Sequence, residues 1–165
     1  GYDINMKDGY GGNALEWAAQ ENRISNAKML IEGGCDVNNL NGDGMTALYT
    51  ACAEGNADMA RLLLDNNAEP DRTEDATPLI IASCYGKIEC VKLLLEHGTD
   101  VNTIDNEGRT ALFYAMVYRQ DEVKKLLSDN GASYDICDKD GVSPTQLKDE
   151  SVRERVYSEL MGEEK

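Results

Sequence analysis

The stretch "TPLIIASCYGKIECVKLLLEHGTDVN", residues 77–102, contains two apolar blocks that recur along the chain. Copies of its first block begin at residues 13, 46 and 110 and read "NALEWAAQEN", "TALYTACAEG" and "TALFYAMVYR". The leucine that the four copies share recurs at intervals of 33, 31 and 33 residues, at Leu15, Leu48, Leu79 and Leu112. Repetition at a fixed period of this length predicts a solenoid, in which each unit buries its apolar face against its neighbours.

Each unit carries residues that start a helix and residues that stop one. A residue able to accept hydrogen bonds from the free amides of a helix start stands just before each apolar helical pattern, at Asn13, Thr46, Thr77 and Thr110 in the four copies and at Ser143 in a fifth unit. Pro78 and Pro144 follow at the first helical position, where a missing N–H costs nothing. Residues that enter the left-handed region easily follow each second block, at Gly34, Asn67, Gly98 and Gly131. Glycines that mark a turn precede the first blocks, at Gly11, Gly44, Gly108 and Gly141. The pattern predicts a turn, a helix, a tight loop, a second helix and an extended return.

These phrases resemble the ankyrin repeat family, which has a 33-residue period and a T-P-L-H-x-A phrase. "TPLIIA" at Thr77 is the closest match. The His of the phrase is replaced in every unit, by Glu16, Tyr49, Ile80 and Phe113, so the group that makes a hydrogen bond in many members is missing. The resemblance covers nearly the whole chain. It implies an all-α ankyrin-repeat solenoid of helix-turn-helix units joined by β-turn or hairpin loops.

The period divides residues 1–165 into the parts of a single ankyrin-repeat domain. These are the tail of an upstream repeat at 1–7, repeats at 8–40, 41–71, 72–104 and 105–137, and a C-terminal capping repeat at 138–165. Two residues are missing ahead of Thr77, which predicts an irregular turn near Asp71 to Asp75.

The two ends of the chain carry different signals. The opening "GYDIN" is similar to "GTDVN" at 98–102, which is the return segment of a repeat, so we expect a fragment of a longer array. We expect this fragment to be monomeric. Near the other end, Val152, Val156 and Leu160 recur at i, i+4 and i+8 with charged residues between them. One apolar stripe with a polar outer face is typical of a terminal cap.

The charge balance favours some partners and disfavours others. Lysine and arginine number 16 and aspartate and glutamate 31, which gives 16 − 31 = −15. Such a surface repels nucleic acid and anionic lipid and favours basic partners, although solubility alone also explains it. No apolar run approaches the roughly 18 residues of a membrane span. Five cysteines without a C-x-x-C pair favour reduced thiols in an intracellular protein, cytoplasmic or nuclear.

The residues that catalysis or metal binding would need are scarce. His97, the single histidine, ends a second block in "LLLEHG", where a cation suits a helix C-terminus. "DKDG" at Asp138 has its glycine in the fourth rather than the sixth position of a calcium loop, so a repeat turn explains it better. We therefore predict neither an enzyme nor a cofactor or metal site.

Positions at which the repeats differ are free to serve function. At 100° per residue, Leu48, Ala51 and Cys52 form the scaffold side of the second unit's first helix, and Thr50, Ala53 and Glu54 face outward. In the ankyrin family this outward face and the turn tips line the groove where partners usually bind. The corresponding outward residues are Trp17, Glu21, Thr50, Glu54, Ile81, Cys84, Tyr85, Tyr114, Val117 and Tyr118. The predicted turn-tip rim is Tyr10, Asp43, Met45, Glu74, Asn106, Glu107 and Arg109.

This outward face is unusually apolar, since it carries Trp, Ile and Tyr where polar residues are expected. Exposed apolar stripes usually mark interaction sites, and Trp and Tyr are favoured anchors. The alternative is that neighbouring turn tips partly bury these side chains.

Asn38 and Asn102 stand in a second pattern, with a leucine eight residues before each and Asp-Val directly ahead. The pattern resembles the one hydroxylated on Asn in many animal ankyrin repeats. The alternative is that each Asn satisfies its turn.

We therefore predict a protein-protein interaction module of the adaptor or scaffold type, which binds a partner segment with apolar anchors and basic residues. The resemblance also allows a recruiting or regulatory segment of a larger enzyme or ion channel. A small-ligand sensor is a weaker third hypothesis, because it needs a closed pocket.

Overall fold

The computed structural model describes residues 3–162, in which short helices alternate with turns. The helices are α1 (Ala14–Gln20), α2 (Ile24–Glu32), α3 (Ala47–Glu54), α4 (Ala57–Asp65), α5 (Pro78–Cys84), α6 (Ile88–Glu96), α7 (Ala111–Val117), α8 (Asp121–Asp129) and α9 (Glu150–Leu160), with a 3₁₀ turn at Gln146–Lys148. The first two residues of the quoted "GYDIN" lie outside the described residues.

The first helix of each complete unit begins at the predicted cap. Asn13 Oδ1 accepts from the Leu15 and Glu16 amides, both at 3.1 Å. Thr46, Thr77 and Thr110 accept the corresponding bond through Oγ1. Ser143 does not start an α-helix. Its amide and hydroxyl both donate to Gln146 Oε1, and only the 3₁₀ turn follows.

The helices form two layers. The first helices α1, α3, α5 and α7 pack side by side, and the second helices α2, α4, α6 and α8 form the other layer. The core lies between the layers, and the four repeated leucines are fully buried there. Stacking therefore buries the apolar faces that no unit covers alone, as the period predicted.

The turns ahead of the first helices share one hydrogen-bond pattern. The leading Asp or Asn accepts the amides two and four residues later, at Asp8, Asn41, Asp105 and Asp138. In the shortened third unit Thr73 Oγ1 accepts the Asp75 amide and bonds to the Ala76 carbonyl instead. The predicted irregular turn is therefore present.

The last unit departs from the others. A single 3₁₀ turn replaces its first helix, and α9 packs against that turn and against α7. Val156 is buried, and Val152 and Leu160 pack against the core, so the predicted apolar stripe of α9 faces inward. None of the helices in residues 3–162 has the length and apolar character needed to cross a bilayer.

Candidate functional site

The groove face is the side of α1, α3, α5 and α7 turned away from the second-helix layer, together with the turn tips beside it. Its most exposed large side chains are Tyr10, Trp17 and Tyr85, at 81%, 51% and 57% exposure. Ile81, Tyr114 and Tyr118 are half-buried there and pack against the core. The groove face therefore exposes apolar side chains, and some of them are held in place by contacts with the core.

A tyrosine cluster occupies the C-terminal part of the groove face. We define it as Tyr49, Tyr85, Tyr114, Tyr118 and Tyr157. The rings of Tyr114 and Tyr118 are stacked, with centroids 6.4 Å apart and planes at 13°. Tyr157 of α9 meets Tyr118 edge-on, with centroids 5.7 Å apart. These contacts hold Tyr118 in place, because offset-stacked and edge-to-face pairs are favoured arrangements of aromatic rings.

The cluster is partly shielded from water, and this burial raises the pKa of several of its hydroxyl groups. Burial raises the pKa of Tyr49 and of Tyr118, with smaller contributions from nearby Cys84. The pKa of Tyr114 is raised by burial and by the hydrogen bond from its hydroxyl to Asp105 Oδ2, at 2.7 Å. Burial likewise raises the pKa of Cys84 to about 11. At neutral pH the hydroxyls of Tyr49, Tyr114 and Tyr118 and the neighbouring Cys84 thiol are therefore protonated and uncharged.

Carboxylates border the groove face. The carboxylates that are exposed there are Glu21, Glu54, Glu74, Glu107 and Asp43. Glu107 Oε1 lies 3.6 Å from Lys139 Nζ, and both side chains are well exposed.

Hydrogen bonds join the turn tips into a continuous edge. The Tyr10 carbonyl accepts the Gly42 amide at 2.6 Å, and the Gly44 carbonyl accepts the Glu74 amide at 3.1 Å. Asn106 donates through its amide to Asp75 Oδ1 and through Nδ2 to the Glu74 carbonyl. The close approach of Glu74 explains Gly44, since a Cβ there would lie 2.6 Å from the Glu74 Cβ.

Two predicted site residues face the interior instead. The prediction that Val117 faces outward is wrong: it is 3% exposed and part of the core, beside the place where α9 packs against α7. Arg109 was predicted on the open rim, but its guanidinium pairs with Asp138 Oδ2 at 3.5 Å and lies over the Phe113 ring. Side-chain exposures of 13% for Arg109 and 2% for Asp138 make this ion pair an internal contact.

The remaining predicted residues lie on the groove face or its edge. Thr50, Met45 and Cys84 are half-buried there. Sequence reasoning missed Tyr49 and Tyr157. Tyr49 occupies the position of the missing His, which indicated from the sequence only that a hydrogen-bonding group is absent. Tyr157 follows Val156 directly, so it lies 100° around α9 from the apolar stripe. This position beside the stripe is the sequence signal that could have identified it.

Asn38 and Asn102 each join two successive units. Their Oδ1 atoms accept the amides of Glu69 and Ser133, both at 2.8 Å. Their Nδ2 groups donate to the carbonyls of Asn67 and Gly131. Asn5 Oδ1 makes the same kind of bond with the Asp36 amide, so the three asparagines share one structural role.

The histidine and the cysteines form neither a catalytic pair nor a disulfide among the described residues. His97 Nδ1 lies 2.8 Å from the Leu93 carbonyl, one turn earlier in its own helix. Cys35, Cys52 and Cys90 are buried and Cys137 is exposed, all as free thiols. Within residues 3–162, His, Cys, Asp and Glu side chains form no group of three placed to hold a metal ion.

Comparison with known proteins agrees with this architecture. The family model described as ankyrin repeats (3 copies) matches residues 1–74 and 71–140. The chain therefore belongs to the ankyrin repeat family. Ankyrin repeats are generally protein-protein interaction modules.

Two mouse proteins are similar over parts of the chain. Ankyrin repeat and SOCS box protein 12 is 53% identical over 34 residues, which is 21% of this chain. Rabankyrin-5 is 31% identical over 96 residues, which is 58% of this chain. The matched segments are 11% and 7% of the length of those two proteins, so the chain spans only a small part of either relative.

Proposed function

We propose that the groove face binds a segment of a partner protein, with the tyrosine cluster as the apolar anchor site and the surrounding carboxylates as the attraction for basic residues. The observation that carries the proposal is Tyr85, a large aromatic side chain that is 57% exposed on the groove face at the end of α5. A large exposed aromatic side chain on a rigid helical scaffold is a typical binding anchor.

The ordered state of the cluster supports this proposal. Because Tyr114 and Tyr118 are already held by ring contacts and by the Tyr114–Asp105 hydrogen bond, a partner does not have to immobilise them. Preorganisation of this kind lowers the entropy lost on binding.

The position of the acidic residues supports a basic partner. Glu54 is the last residue of α3, and Glu21 is the C-cap of α1. Both carboxylates therefore lie at the negative end of a helix dipole, where a cation is favoured. The formal charge of −15 adds a long-range attraction for basic segments.

The same groove face also suits an adaptor arm within a longer protein. The two mouse relatives favour this second hypothesis, because the matched segments occupy small fractions of their lengths. In this hypothesis the chain supplies recruitment or regulation, and any enzyme or channel activity belongs to other segments.

A display selection tests the proposal without a known partner. Random peptides are selected on the 165-residue chain and sequenced, and their contacts are mapped by backbone chemical shifts. We expect selected peptides to combine apolar with Lys or Arg residues and to shift the resonances of Ile81, Tyr85 and Tyr118. Peptides that map to the second-helix layer would contradict the proposal.

Charge variants distinguish long-range electrostatic attraction of the partner from the contacts made in the bound state. Glu54→Gln with Glu107→Gln should mainly slow association and flatten its salt dependence, because rim charges act on the encounter. Glu32→Gln, an exposed carboxylate on α2, is the matched control and should leave the association rate unchanged.

A further inference from the structure

A small pocket lies at the N-terminal end of the groove face, between the turn tip of the first unit and α1. Its volume is about 160 Å³, and its walls include two aromatic side chains, Tyr10 and Trp17, and two carboxylates, Asp8 and Glu16. It is separate from the tyrosine cluster, which is built on α3, α5, α7 and α9.

The pocket is negatively charged because of its two carboxylates. Among the ion pairs of residues 3–162, neither Asp8 nor Glu16 has a Lys or Arg partner. Glu16 Oε1 accepts a hydrogen bond from Asn41 Nδ2. Glu16 Oε2 is buried and has no hydrogen-bond partner within residues 3–162. Burial and the nearby charges of Asp8 and Asp43 raise the pKa of Glu16. A carboxylate oxygen without a partner is costly, and a cationic donor that reaches it relieves that cost.

The aromatic wall is fixed beside this charge. Trp17 Nε1 donates to Asp8 Oδ2 at 2.8 Å, which ties the indole to the carboxylate on the turn. Trp17 and Tyr10 remain largely exposed. Trp is the strongest of the aromatic side chains for cation–π attraction, so it adds to the charge attraction at the same place.

We propose that this pocket binds the cationic head of a Lys or Arg side chain from the partner segment. The inference rests on the proposed function, and it specifies one position of a basic residue in the bound segment. Carboxylates attract the head electrostatically, and the indole and phenol rings contact its charged or methylene groups.

Trp17 provides a direct readout, because it is the single tryptophan of the chain. The intact chain is titrated with Nα-acetyl-lysine methylamide, with the arginine analogue and with the uncharged norleucine analogue. The indole N–H resonance of Trp17 is followed by NMR. We expect a saturable shift at millimolar concentrations with one or both cationic probes and no saturable shift with norleucine.

Variants assign the effect to the pocket. Glu16→Gln should weaken binding of the cationic probe at least fivefold. Asp8→Asn should also weaken it while keeping the turn, because Asn41 accepts the equivalent two amides in the next unit. Glu32→Gln, which removes an exposed carboxylate on α2, away from the groove face, is the control and should change binding less than twofold.

Equal shifts with norleucine, no saturation with either cationic probe, or unchanged binding by folded Glu16→Gln would overturn the proposal. The probes act without a partner protein, so this test can fail while the tyrosine cluster still binds peptides. The peptide selection can fail independently.

Discussion

The Tyr157 ring of α9 packs edge-on against the Tyr118 ring at the end of α7, with centroids 5.7 Å apart. This contact joins the last helix to the groove face and limits how far Tyr118 can move. The C-terminal unit is therefore part of the candidate site as well as a cover for the core.

Replacing Tyr157 tests this link. We expect Tyr157→Ala to lower the free energy of unfolding by about 1 kcal/mol, since aromatic pairs add about 0.5–1.5 kcal/mol beyond their buried area. The measurement is the urea unfolding midpoint. Tyr10→Ala is the control, because Tyr10 is 81% exposed and should give a much smaller change. Equal midpoints for wild type and Tyr157→Ala would contradict the role of the contact.

The helix caps give a second prediction. Thr110 Oγ1 accepts the Phe113 amide at 3.2 Å at the start of α7. Thr110→Val keeps the shape but removes the acceptor, so the array should lose about 1 kcal/mol of stability. Thermal or urea unfolding measures the loss. Thr50→Val, within α3 and away from a cap, is the matched control, and an equal effect of both substitutions would refute the assignment.

The half-buried carboxylate of Glu16 gives a pH-dependent prediction. Its pKa is raised above the ordinary 4.5, first by burial and then by Asp8 and Asp43, against the lowering effect of the Asn41 hydrogen bond. A raised carboxyl pKa means that the ionised form is disfavoured in the folded state, so the cost is present at pH 7 and disappears as pH falls toward 4.5.

Glu16→Gln should therefore raise the melting temperature at pH 7, and the gain should shrink as the pH approaches 4.5. Gln retains an oxygen that can accept from Asn41. Glu21→Gln serves as the control with an exposed carboxylate. A gain that is independent of pH would show that charge is not its cause.

Hydroxylation of Asn38 and Asn102 remains a proposal from the sequence pattern, and it has a direct test. Both side chains bridge to the next unit, so modification requires local access to an asparagine that is hydrogen-bonded on both sides. Incubation with an asparaginyl hydroxylase should add one oxygen per modified residue, located by mass spectrometry of peptides. Asn38→Gln and Asn102→Gln identify the modified sites. An unchanged mass would contradict hydroxylation, and bridging successive units would then be the role of both asparagines.

Much of the fold could be predicted because its signals are local and repeated. The cap at Thr77, the stop at Gly98 and the buried Leu79 each follow from a residue type at a fixed place in the period. The one cap that failed, Ser143, lies where "SPTQL" departs from the repeated phrase, and a 3₁₀ turn forms there.

The candidate site was less predictable because it depends on packing between distant segments. Periodicity placed Val117 on the outward side of α7, but α9 packs against that helix from more than 30 residues later in the chain. The internal pairing of Arg109 with Asp138 likewise joins two turns that no local pattern relates.

The most direct test of the central claim is the binding of a selected peptide to Tyr85→Ala/Tyr118→Ala. Affinity and melting temperature are measured together, with Met29→Ala as the control, since Met29 is apolar and exposed but lies on α2. If the groove face is the binding surface, the double substitution should cost at least about 2 kcal/mol of binding while the protein stays folded. Normal binding by the folded double variant would contradict the assignment of this face.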